Sequence, residues 1–216
     1  MHTLSIISQK GGTGKTTLAL NLAAASEAAG KPAVVVDLDP QASAKGWHDN
    51  RDNESPVVIS AQAARIVAVL KAAENHGAEL IIFDTAPHSE NASLAAARAS
   101  DLVLIPCRTG ILDLRAIAFS ADICALAKAN AVAVLNATPP RGTLPDEATE
   151  AMKAHGLEVC PVHIVQRMAF VHSLTAGQTV IEFEPESKAA MEIKALYVWT
   201  VTRANMSTLS HVGGKA

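Results

Sequence analysis

Residues Lys10–Thr17 read KGGTGKTT, between a short apolar run, Leu4–Ile7 (LSII), and a long alanine-rich stretch that begins at Thr16. A strand, a glycine-rich loop and a helix in that order are the setting in which a phosphate cradle is built. Glycine lets the main chain approach a phosphate closely, because no Cβ stands in the way. Successive N–H groups then form an anion nest, and the following helix adds the positive end of its dipole. In such a loop Gly11, Gly12, Thr13 and Gly14 supply backbone donors, Lys15 neutralises the β- and γ-phosphates, the Thr16 hydroxyl ligates Mg²⁺ and Thr17 reaches the α-phosphate. One position departs from the pattern G-x-x-x-x-G-K-[ST]: it requires Gly at position 9, and this chain has Gln9, followed by an extra lysine, Lys10.

Outward from that loop, short apolar runs alternate with longer amphipathic ones. Leu4–Ile7, Ala33–Val36, Val57–Ile59, Leu80–Phe83, Leu102–Ile105 and Val132–Leu135 read as strands. Their near-continuous Val, Ile and Leu content suits strands buried on both faces of a parallel sheet. Thr16–Ala29, Ala61–Glu74, Asn91–Ala99 and Asp113–Ala129 read as the helices between them. The alternation predicts an α/β fold of right-handed βαβ units. After Pro139, Pro140 and Gly142 the pattern loosens. Asp146–His155, Phe170–Ala176 and Lys188–Arg203 read as helices, and Leu157–Val165 as a strand or extended segment. Residues 1–204 are expected to form one domain, and 205–216 a polar, frayed tail.

Composition narrows the function classes. The chain has 216 residues, 49% of them hydrophobic and 18% charged, which excludes a solvated disordered polymer. Its net charge of −3 means that any nucleic-acid binding must use a local patch. No apolar run reaches the roughly 18 residues of a membrane span. Cys107, Cys124 and Cys160 lack metal-ligand spacing and read as buried thiols of a reducing, cytoplasmic compartment.

Acidic residues fall where the chemistry of a phosphate site needs them. Asp84 ends an apolar strand, the place where ligands gather in open α/β sheets, and is a candidate for holding Mg²⁺. Asp37 and Asp39 lie within the run VVVDLDPQ (Val34–Gln41), with Asp39 expected in a loop beyond the strand. Asn136 ends the sixth strand, and an amide offers both edges that adenine needs. His88 follows Asp84 in a switch-like segment.

KGGTGKTT resembles the deviant Walker A box of the ParA/MinD family of ATPases. VVVDLDPQ resembles that family's second acidic motif, and LIIFDTAP (Leu80–Pro87) its Walker B and switch region. Ile105-Pro106 continues the likeness, and Gln166–Ile193 resembles the C-terminal region of ParA-type partition proteins. The resemblance implies a single-domain P-loop NTPase-like fold, a mostly parallel twisted sheet with helices on both faces. It implies ATP and Mg²⁺ as cofactors, with Thr16, Asp37 and Asp84 around the metal. Catalysis would fall to Lys15, to Asp39 orienting the attacking water, and to Lys10 reaching across an ATP-dependent homodimer to the partner's nucleotide. Asn136 would contact adenine.

The function so implied is partition: an ATPase that binds non-specific DNA, associates with the nucleoid, and segregates a plasmid or chromosome with a ParB-like partner. Arg167 and Lys188 match the basic positions, with Lys194 and Arg203 beside them. An alternative is the same ATPase positioning a non-DNA cargo through an adaptor. A MinD-like membrane role is disfavoured, because no basic amphipathic face closes the C-terminal helix.

Overall fold

The computed structural model describes residues 1–154 and 156–212; the side chains at 111, 112, 114, 115 and 206–212 fall outside that description, as do residues 155 and 213–216. The strands are β1 (His2–Ile6), β2 (Ala33–Asp37), β3 (Val57–Ser60), β4 (Leu80–Asp84), β5 (Leu102–Cys107), β6 (Ala131–Leu135) and β7 (Glu158–Val159). They form one sheet in the order β3-β2-β4-β1-β5-β6-β7, and every neighbouring pair is parallel. The expected sheet is thus present, fully parallel, with a seventh strand only two residues long where the extended segment was expected.

The helices are α1 (Lys15–Ala28), α2 (Ser43–Asp49), α3 (Ile66–Asn75, after a 3-10 turn at Ala63–Arg65), α4 (Glu90–Arg98), α5 (Ile111–Ala127), α6 (Leu144–Ala154), α7 (Met168–Thr175), α8 (Val180–Phe183) and α9 (Lys188–Val212). The last runs beyond the expected end at Arg203; residues 213–216, at the end of the expected tail, lie outside the described residues. Among the described residues no helix is long and apolar enough to cross a membrane.

Strand periodicity explains the layering. Along β4, Leu80 and Ile82 join a core with α1 and α9, while Ile81 and Phe83 join another with α3 and α4. A third cluster packs the second face of β5 and β6 against α5 and α6. Alternate residues point to opposite faces, so a sheet covered on both sides needs apolar residues at every position. The alanines of α1 let it lie close to the sheet: Ala19 and Ala23 are fully buried.

Two short helices have no apolar period to betray them. α2 contains Gly46 and buries Ala44 alone. It is held from its first turn, where the Lys45 amide donates to Asp37 Oδ2 at 3.0 Å. α8 starts with a capping box between Thr179 and Glu182, which satisfies orphan amides reciprocally.

The chain runs from β1 outward to β2 and β3, returns through β4, then crosses to β5, β6 and β7 on the other side. The order reverses beside β1, and a crevice opens there at the carboxyl ends of the strands. The glycine-rich loop leaves β1 into that crevice.

Candidate functional site

The loop is shaped by two left-handed glycines, Gly12 at φ 72° and Gly14 at φ 91°. Gly14 also has a neighbour: a Cβ there would stand 2.3 Å from Asn136 Nδ2. That amide nitrogen donates to the Thr13 carbonyl at 2.7 Å, so the end of β6 braces the loop. Lys15 opens α1, whose first turn carries no acidic residue, leaving the helix terminus positive toward the loop.

Lys15 is 7% exposed, and its ammonium donates to the Ser8 carbonyl at 3.1 Å and the Lys10 carbonyl at 3.4 Å. Burial lowers its pKa, against the pull of Asp84 and Asp39. Carbonyl dipoles compensate a buried ammonium only in part, and a phosphate would complete the job.

The register explains the acidic cluster. Asp84 pairs with Ile6 of β1 on one side and with Asp37 of β2 on the other. Two carboxylates therefore lie side by side at the strand ends, next to the root of the loop. Asp84 is pushed up to about 7, first by burial, then by Asp37 and Asp39, against a hydrogen bond from Thr16 and the charge of Lys15. Its Oδ1 is buried with no hydrogen-bond partner. An orphaned carboxylate oxygen beside the Thr16 hydroxyl fits a small hard cation such as Mg²⁺, which takes oxygen ligands.

Asp37, fully buried, has another visible task. Its Oδ1 accepts the Asp39 amide and its Oδ2 the Lys45 amide, each at 3.0 Å. It thereby pins the turn that carries Asp39, whose Oδ1 accepts the Gln41 amide at 2.9 Å. Asp39 lines the same cavity, about 280 Å³, as Gly11, Gly12, Gly14, Lys15, Thr16 and Thr17. The expected loop position of Asp39 thus faces the cradle.

Lys10 departs from a solvated side chain. Its ammonium pairs with Asp113 of α5 at 2.8 Å. Asp113 went unread in the sequence, where three residues after Gly110 it looks like an ordinary first-turn acid. Gln9, the residue in place of glycine, is 9% exposed and ties the loop to its neighbours: its backbone amide donates to Ser120 Oγ at 3.1 Å, and its Nε2 donates to Ser93 Oγ at 3.5 Å. His88 lies exposed at φ 56° between β4 and α4. The three thiols are buried and pushed up to about 12, chiefly by burial.

Three of the four basic residues named in the C-terminal region carry partners. Arg167, at the start of α7, is paired with Glu192 of α9. Arg203 binds Glu158 through two nitrogens, at 3.0 and 2.7 Å. Lys194 donates to the Pro185 carbonyl at 2.8 Å. Lys188 is exposed, one helical turn from Glu192.

Comparison with known proteins agrees with this geometry. A maintenance of carboxysome distribution protein A from Halothiobacillus neapolitanus is 26% identical over 200 residues, 88% of this chain and 91% of that protein. The chromosome-partitioning ATPase Soj of Thermus thermophilus is 28% identical over 144 residues, 53% of this chain and 58% of Soj. The septum site-determining protein MinD from Pyrococcus horikoshii, solved with Mg-ADP, superposes with a TM-score of 0.77 at 18% identity, covering 95% of this chain and 98% of that one. The model of the CobQ/CobB/MinD/ParA nucleotide-binding domain matches residues 4–180. With a phosphate cradle, a buried lysine and paired strand-end carboxylates inside that span, the chain belongs to the CobQ/CobB/MinD/ParA family of nucleotide-binding proteins.

Proposed function

We propose that the protein is a Mg²⁺-dependent ATPase that works as an ATP-bound homodimer to position a protein assembly. The observation that carries the enzymatic part is the cavity that the loop and Asp39 line together. ATP with Mg²⁺ is the ligand pair this site suits. Loop amides and Lys15 hold the phosphates, Thr16 and Asp84 hold the cation with Asp37 behind them, and Asn136 is assigned to adenine. Bound Mg²⁺ supplies charge neutralisation for the β- and γ-phosphates. Asp39 orients the water that attacks the γ-phosphate. Lys10 acts on the partner's nucleotide, where its compact charge offsets repulsion between two opposed triphosphates.

Positioning of a protein cargo is supported by the likeness, over 88% of this chain, to a carboxysome distribution protein. An adaptor protein would link the dimer to that cargo and stimulate turnover. Association with nucleoid DNA fits this role as a matrix. The second reading, segregation of DNA with a ParB-like partner, draws on the shorter likeness to Soj. The Arg167–Glu192 pair lowers the part Arg167 can play in DNA contact under either reading, since a neutralised guanidinium contributes little to phosphate binding.

Steady-state phosphate release by Asp39→Ala tests the enzymatic part. Turnover is expected to fall by about 100-fold, within the usual range for a proton-handling group, with ATP binding retained. Unchanged turnover would move the catalytic carboxylate elsewhere. DNA retention of the ATP-bound protein across a salt series tests the matrix. Removing both Arg167 and Lys188 (each to Ala) should reduce the salt slope if they touch phosphates.

A further inference from the structure

Lys10 carries the trans function in the reading above, yet its side chain is folded against its own subunit. The ammonium lies 2.8 Å from Asp113 Oδ1, with side-chain exposures of 37% and 12%. Oδ1 is buried and takes no hydrogen bond of good geometry among the described residues, so the Lys10 ammonium is the charge that compensates it. The main chain of Lys10 is fixed as well: its carbonyl accepts from Thr13 Oγ1 at 3.4 Å, Ser8 Oγ at 3.5 Å and the Lys15 ammonium at 3.4 Å. Only the four-carbon stem is left to swing. Lys10 borders an open groove of about 550 Å³ whose wall includes the exposed acids Glu90 and Asp122. The cis surroundings of this lysine are therefore acidic, and the way outward is open.

We infer that Asp113 is a positioning residue for Lys10, holding its ammonium in cis until a second nucleotide-loaded copy presents phosphates that displace the carboxylate. This rests on the trans role of Lys10 proposed above. A lysine needed across an interface is a liability when unpaired, since it would attract any polyanion. An ion pair with a largely buried partner keeps it parked. Breaking that pair leaves Asp113 uncompensated, and this cost opposes dimerisation until the partner's triphosphate, with several charges, offsets it. Asp113 thus sets the threshold at which ATP-bound monomers associate, and its position in the first turn of α5 couples that threshold to the helix beside the loop.

The test is sedimentation of the full chain over a concentration series, with Mg²⁺ and a non-hydrolysable ATP analogue. Asp113→Asn and Asp113→Ser remove the charge and keep a polar group, so a folding defect in one does not decide the matter. Both are expected to dimerise at about tenfold lower concentration and to show raised basal phosphate release. Analogue affinity under monomeric conditions should stay at the wild-type value. Asp113→Glu should restore the wild-type threshold, which a purely structural role would not require. Neutral variants that dimerise only at wild-type or higher concentration would overturn the inference. Lys10→Ala separates the layers: a Lys10→Ala protein that dimerises normally refutes the trans reading and the latch with it. A monomeric one upholds the trans reading and leaves the Asp113 variants to decide.

Discussion

Two regions of the molecule treat charge in opposite ways. At the carboxyl ends of β1, β2 and β4, burial lowers the pKa of Lys15 and raises that of Asp84, whose Oδ1 has no partner. Around α7, α8 and α9, the buried or half-buried cations have carboxylate partners: Arg167 with Glu192, Arg203 with Glu158, and Arg51 with Glu182, although Arg51 Nε and Nη1 make no hydrogen bond and its guanidinium instead stacks 4.3 Å from the Trp47 ring centre. Uncompensated buried charge is expensive and persists where a ligand completes it. Charge paired with an opposite charge holds elements together. The contrast marks the first region as a binding site and the second as scaffold.

The sharpest way to break this comparison is Lys15→Ala. If Lys15 waits for phosphate, its loss should weaken MgATP binding by at least about 100-fold, near the upper range for a charged hydrogen bond, and leave the fold intact. Calorimetric titration against circular dichroism of the same sample checks it. ATP affinity within a few-fold of wild type would mean that the carbonyls of Ser8 and Lys10 are its real partners.

The cradle region was legible because local rules place it. Glycines, a lysine and a hydroxyl at fixed spacing after a strand name their own jobs, and Asp84 and Asp39 were readable as strand-end acids. Their mutual geometry was not readable: that Asp37 and Asp84 stand side by side follows from parallel register, a non-local fact. Asn136 was read for adenine, and its brace on the Thr13 carbonyl depends on β6 lying near the loop in space. Asp113 was missed because its partner is about a hundred positions away. The matched pairs of the C-terminal region join residues far apart in the chain, as Arg51 and Glu182 do, so Arg167 read as a free basic residue when it is neutralised.

Asp84→Asn sharpens the comparison by a smaller amount. The folded pKa lies near 7 against an ordinary 3.8, so the folded state binds more protons than the unfolded one between those values. Stability therefore falls as pH rises through that window, and the penalty is complete above about pH 7. At 1.36 kcal/mol per unit the full shift is worth up to about 4 kcal/mol. Nucleotide-free Asp84→Asn should be more stable than wild type by about 2–4 kcal/mol at pH 8 and nearly equal at pH 4. MgATP should narrow the gap, because it stabilises the wild type alone. Urea denaturation at the two pH values is the measurement. A variant that is destabilised at pH 8 would show that Asp84 serves as scaffold after all.

The smallest expected effect lies in the matched region. Glu158, on the edge strand β7, has its carboxyl held below the usual 4.5, first by its hydrogen bonds to Arg203 and then by that residue's charge, against a desolvation cost. The side chains are 45% and 27% exposed, so solvent screens the pair and an exposed-pair value of about 0.5 kcal/mol applies. A lowered carboxylate pKa adds stability that is present above about pH 4.5 and lost as pH falls through the folded value, because the folded state binds fewer protons there. Glu158→Gln removes the titrating charge and keeps the shape. It should lower unfolding free energy by about 0.5 kcal/mol at pH 7, and the difference should shrink as the pH is taken below about 4. ATP binding should not change, since β7 is at the far edge of the sheet from β2 and β4. A loss of several-fold in ATP affinity would mean that the two regions are coupled, and that the matched charges do more than hold β7 against α9.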